Sequence, residues 1–158
     1  MSDRKQTESF ARMVDVADKP ETDRMARARG EVRVTTRVLE AIREGKVPKG
    51  DVLATARLAG IGGAKLTSTL LPLCHPVRIS WVEVTAETSP PDRILIEATV
   101  RGKDRTGFEM EAFTAVATAA LSVVDMVKAL DPSSSLLSVR LVEKRGGKSG
   151  HWVRDAGS

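Results

Sequence analysis

A chain of 158 residues and 17.0 kDa suits one domain with a single core, and 41% hydrophobic with 29% charged residues excludes disorder throughout. One cysteine excludes an internal disulfide and a thiolate-only metal site, and suits a reducing compartment, the cytoplasm. The formal charge of +4 and pI near 9.5 favour an anionic partner. A phosphorylated metabolite fits better than nucleic acid, because Tyr is absent and only Phe10, Phe108, Phe113, Trp81 and Trp152 could stack on bases.

Residues 1–13 read as a flexible polar arm without the apolar stretch of a secretion signal, and "DKPET" at 18–22 reads as a turn. "ARGEVRV", 28–34, alternates charged and apolar residues as a half-buried strand, and "TTRVLEAIREG" spaces Val38, Leu39 and Ile42 as a short helix ended by Gly45. Asp51 caps a second helix running to about Leu70, loosened by Gly60, Gly62 and Gly63. "VRISWVEVTAE" and "RILIEATVRG" flank "TSPPD" as an antiparallel hairpin with a proline-stiffened turn. Thr106 and Glu109 stand in capping-box register at the head of a long alanine-rich helix, and Pro132 stands past its tail. Asp125 and Lys128 interrupt its apolar run, which argues against membrane insertion. "LLSVRLVEK" reads as a last strand. The order β, α twice, β, β, α, β is α+β: a ferredoxin-like β-α-β-β-α-β unit with an extra helix, an antiparallel sheet carrying helices on one face. It forms a single domain over 14–153, followed by a flexible tail at 154–158.

The stretch "LPLCHPV", 71–77, fences Cys74 and His75 between Pro72 and Pro76, which keeps His75 out of a helix. His75 reads either as a general acid or base or as a loop histidine bonded to backbone; Cys74 reads as a small buried hydrophobe rather than a nucleophile. "GGKSG", 146–150, looks like a P-loop tail, but the required first glycine falls at Val142, and in "GIGGAK" Lys65 occupies the third glycine of a dinucleotide fingerprint. Lys148 among glycines can still offer an ammonium and backbone N–H groups to an anion. Glu109 is accounted for by the cap, whereas Glu111 is not. Asp125 and Lys128, three apart, form either a plain salt bridge or the lining of a cleft. Glu111 and Asp125 lie about 21 Å apart along a continuous helix, too far to touch one reacting centre. If both serve one site, a neighbouring subunit must bring the second end, and the protein is a homo-oligomer.

Read in order, "MVDV", "KGDVLATARLAGI", "LPLCHP", "VEV", "TGFEMEA", "VVDMVKA" and "GGKSG", spanning residues 13 to 152, resemble the molybdenum cofactor biosynthesis protein C family, the cyclic pyranopterin monophosphate synthases. The resemblance implies a lyase that takes a cyclic dihydroguanosine triphosphate, handed on by a radical-SAM GTP cyclase, and releases pyrophosphate and cyclic pyranopterin monophosphate. It implies Asp125, Lys128, Lys49 and His75 as catalytic residues, and Leu73, Cys74, His75, Met110, Glu111, Lys148 and Arg24 as substrate-binding. It further implies no metal ligands, no required cofactor, Mg²⁺ only as a companion of the triphosphate, and no nucleic-acid or membrane partner. The assembly it implies is a homohexamer, a trimer of dimers, with inter-subunit active sites. The chain departs from the family's usual pattern at Phe108, where an aliphatic residue is usual, and at Val124, where a tyrosine is. Two rivals are an RNA-recognition-like module and a nucleotide-sensing domain without catalysis. The first needs aromatic residues on central strands, where the sequence offers only Trp81.

Overall fold

Strict alternation along the first strand separates a core face from a charged face. In the computed structural model, which describes residues 11–155, β1 (Thr22–Arg33) turns Ala26, Ala28, Gly30 and Val32 inward and Arg27, Arg29, Glu31 and Arg33 outward. The first ten residues of the expected arm and residues 156–158 of the expected tail lie outside the described residues. β1 begins six residues before the expected strand: Thr22 to Arg27 pair with Asp104 to Thr99, and Met25 to Arg27 pair with Arg145 to Glu143. Ladder bonds on both sides make a strand of "TDRMAR", whose side chains alone show no clear alternation.

The chain continues through α1 (Thr36–Arg43), α2 (Val52–Lys65), α3 (Thr67–Leu70), β2 (Ile79–Ser89), β3 (Arg93–Asp104), α4 (Glu109–Val127), β4 (Ser135–Arg145) and β5 (His151–Val153). All strand pairs are antiparallel, in the order β2-β3-β1-β4-β5. The first four are the ferredoxin-like set. β5, three residues long and absent from the sequence reading, adds to the β4 edge. The Arg154 amide donates to Val142 O at 2.9 Å and its Nε to Leu141 O at 2.7 Å, so Arg154, expected in the tail, is tied to β4.

Two further details differ from the sequence reading. The helix expected to reach Leu70 breaks at Leu66, and Thr67 turns inward, donating to Ala64 O at 3.0 Å, a carbonyl released where the helix ends. The Thr106–Glu109 capping box does not form. Phe108 takes the N-cap position because its ring is wholly buried under Gly102, and the Glu109 carboxylate bonds Lys144 at 3.1 Å. Asp51 does cap α2, accepting from the Ala54 amide at 2.9 Å. The Pro90–Pro91 bond in the β2–β3 turn is cis.

α4 packs on β1, β3 and β4, while α2 packs beside it on β2. By length and composition α4 could cross a membrane, yet nine of its 19 residues are buried against sheet and α2, which makes it a core helix. The two helices come close because Gly60 lies over Ala115 O and Gly63 over Thr114 O and the Thr118 side chain; a Cβ at Gly60 would stand 3.0 Å from that carbonyl. The glycines that loosen α2 in sequence are therefore what lets it dock. Gly62, between them, faces open space. Gly63→Ala should lower stability by about 1–3 kcal/mol through overpacking, and Gly62→Ala should raise it by up to about 1 kcal/mol through helix propensity. Urea unfolding of the two variants checks the opposite signs.

Candidate functional site

Both ends of α4 carry chemistry. At its N-terminal end the fenced loop, outside any helix or strand as its prolines require, packs Leu73, Cys74 and His75 against Met110 and Glu111. These five residues wall a cavity of about 660 Å³, completed by Val14, Val16, Lys19, Thr106 and Gly107. Glu111 is 2% exposed. Burial, reinforced by the charges of Glu109 and Asp104, pushes its carboxyl up to about 7 even though its own backbone amide opposes the shift. Cys74 Sγ lies 4.0 Å from Glu111 Oε1, and burial followed by that carboxylate raises the thiol above its ordinary value. A thiol so placed is a poor nucleophile.

Arg24 borders the same end. Its guanidinium donates to the carbonyls of Asp104, at 3.2 Å, and Arg105, at 3.1 Å, immediately before the cavity residues Thr106 and Gly107. The turn 146–150 closes over it: Gly147, at a φ of 72°, lies against the guanidinium where any side chain would collide. Lys148 stands exposed at the tip of this turn.

At the C-terminal end, Asp125 accepts from Lys128 Nζ at 2.6 Å and from Lys49 Nζ at 2.7 Å, and Lys49 also bonds the Asp125 carbonyl at 3.0 Å. A carboxylate is disfavoured in the last turn of a helix. Here the Lys128 hydrogen bond first, then that of Lys49, hold it down to about 2, so it is fully ionised at neutral pH. The three side chains are 46–60% exposed, and surface ion pairs of this kind contribute little to stability. Both ammonium groups are open to solvent.

Of the residues singled out from sequence, Leu73, Cys74, His75, Met110 and Glu111 meet in one cavity, Arg24 bonds the segment leading into it, and Lys148 stands on the turn over Arg24. Asp125, Lys128 and Lys49 form a second cluster, and a single chain does not join the two. Sequence reasoning missed Val14, Val16 and Lys19, although the block "MVDV" held the signal, and it missed Lys144, which ties down Glu109. Among the described residues no group of three or more His, Cys, Asp and Glu is arranged to hold a metal ion. On the outer sheet face the Arg101 guanidinium lies 4.3 Å over the Trp81 ring. The central strands β1 and β3 turn Arg, Glu, Thr and Leu outward and no aromatic side chain.

The chain matches the model of the MoaC family over residues 13–147. It is 55% identical over 146 residues to a cyclic pyranopterin monophosphate synthase of Thermomicrobium roseum, covering 92% of this chain and 88% of the relative. To the synthase of Streptomyces coelicolor it is 57% identical over 144 residues, covering 91% and 84%. To that of a Nostoc species it is 53% identical over 148 residues, covering 92% and 88%.

Because Glu111 holds its proton more tightly in the folded protein than in the unfolded chain, its contribution to stability is complete below about pH 4.5 and is lost as pH rises toward 7. Between pH 5 and pH 8 the wild type should lose roughly 2–3 kcal/mol of stability relative to Glu111→Gln, which cannot ionise. Denaturant unfolding of both proteins across that range measures it.

Proposed function

The chain belongs to the MoaC family, and from that premise we propose that it is a cyclic pyranopterin monophosphate synthase of molybdenum cofactor biosynthesis, a lyase. It converts a cyclic dihydroguanosine triphosphate, supplied by a radical-SAM GTP cyclase, to cyclic pyranopterin monophosphate and pyrophosphate. The observation that carries the reading is the pair of complementary clusters at opposite ends of α4, one a cavity with a buried acid and an imidazole, the other an exposed carboxylate between two ammonium groups. Glu111 and Asp125 are about 21 Å apart along the helix, so each cluster is half of a site. The whole site forms where one protomer's Asp125, Lys49 and Lys128 meet the His75–Glu111 cavity of its neighbour, in a homohexamer built as a trimer of dimers.

Departure of pyrophosphate concentrates negative charge, which Lys49, Lys128, Lys148 and Arg24 are suited to balance. Asp125, ionised throughout the working range, fixes and polarises the two ammonium groups, and Lys128 moves the proton with Asp125 as its counter-charge. Glu111, near 7, is matched to proton transfer at neutral pH beside His75, and the two orient and protonate the base as the pterin forms. Leu73, Cys74 and Met110 supply the apolar wall for the purine. The reaction needs no cofactor; Mg²⁺ travels with the phosphates. The cytoplasm suits the unpaired Cys74.

Incubation with the cyclic triphosphate should yield pyrophosphate and the cyclic monophosphate from wild type. Asp125→Ala should lower the rate at least about 100-fold with its unfolding midpoint close to wild type, since the side chain is exposed. Oligomers assembled from Asp125→Ala and His75→Ala protomers should regain activity at about a quarter of their sites. Substrate bound but unchanged by wild type would favour the nucleotide-sensing reading, and mixed oligomers as inactive as either parent would refute the shared site.

A further inference from the structure

Glu143, on the outward face of β4, is absent from every role described so far. It is 8% exposed and gathers two guanidinium groups and an imidazole from three strands. Its Oε1 accepts from Arg145 Nε at 2.8 Å and Nη2 at 2.7 Å, and lies 2.9 Å from His151 Nε2; its Oε2 lies 3.1 Å from Arg27 Nη1. Burial pushes the carboxyl up, but the bonds from Arg145 and His151 and the charges of Arg145 and Arg27 outweigh it and hold it below its ordinary value. The register helps: a shift between Arg27 and Ala28 skips Val142 and sets Glu143 opposite Arg27. Such irregularities re-aim side chains beside functional sites.

What this carboxylate holds is the β4–β5 hairpin. Three residue pairs join the strands, Glu143 with Val153, Lys144 with Trp152 and Arg145 with His151, and none of the three β5 residues is buried. A ladder so short does not fix a turn by itself; Arg154 anchors its far end through Val142 O and Leu141 O and lies over the Trp152 ring. The connecting turn is made of residues 146–150, with Lys148 at its tip, and is closed by Gly146 N to Gly150 O at 3.0 Å. A buried carboxylate with two guanidinium partners and an imidazole is costly to assemble, and here it sits where no β5 side chain is buried.

We infer that Glu143 is a positioning residue, clamping β1, β4 and β5 through Arg27, Arg145 and His151 so that Lys148 is held in place to meet a substrate phosphate. The inference rests on the proposed function for Lys148; the clamp itself is independent of it. Steady-state kinetics with the cyclic dihydroguanosine triphosphate test it. Lys148→Ala and Glu143→Gln should each raise KM about tenfold, with kcat falling to a similar extent in both, the scale of a small misplacement of a binding group. His151→Ala, a change at an exposed ring that leaves the core untouched, should move KM the same way by a smaller factor. The Glu143→Gln/Lys148→Ala double variant should match Lys148→Ala alone, since the first change acts through the second. Hydrogen exchange at the amides of 146–150 should be faster in Glu143→Gln, with or without substrate. Multiplying effects in the double variant, or a wild-type KM in both Glu143→Gln and His151→Ala, would overturn the inference while leaving Lys148's role intact. A wild-type KM in Lys148→Ala would instead overturn the phosphate role itself and, with it, the purpose given to the clamp.

Discussion

Close approach of α4 to everything around it governs the rest of the molecule. Gly60 and Gly63 let α2 rest on the backbone carbonyls of Ala115 and Thr114, and Gly30 of β1 leaves room for the Val116 side chain. Ala112, Ala115, Ala119 and Ala120 are fully or almost fully buried, so small side chains rather than long ones set the distance between helix, helix and sheet. Interiors packed to this density do not deform continuously. The 19 residues of α4 therefore act as a rigid strut, and whatever projects from its two ends is held at a set separation.

Those ends are electrostatically inverted. The N-terminal end of a helix welcomes a carboxylate, yet Glu111 is buried there and driven toward neutrality. The C-terminal end repels one, yet Asp125 stays ionised between Lys49 and Lys128. Neither arrangement follows from stability: the first withholds solvation from an acid, and the second spends two ammonium groups on an exposed pair. The function proposed above gives both a use, as halves of one surface that binds a polyanion.

Several elements were legible because their cause is local. Asp51 precedes an apolar period and caps α2; two prolines stiffen the β2–β3 turn; Pro72 and Pro76 keep His75 outside a helix. Others depended on partners distant in sequence. β1 extends back to Thr22 because β3 and β4 pair with it there, and β5 exists because the β4 edge is free. The Thr106–Glu109 motif was misleading, since Lys144, 35 residues later, competes for Glu109 and the core claims Phe108.

The amino-acid sequence by itself determined the class of fold, the order of its main elements and which side chains carry reactive groups, because periodicity, caps and proline geometry act over a few residues. Only the tertiary structure decided which of those groups meet. It set Glu111 in a cavity with Cys74 and His75, bound Asp125 to Lys49 from 76 residues away, and drew Arg27, Arg145 and His151 onto Glu143. Burial and proximity between distant segments fix protonation and orientation, and neither is encoded in the spacing of residues along one stretch of chain.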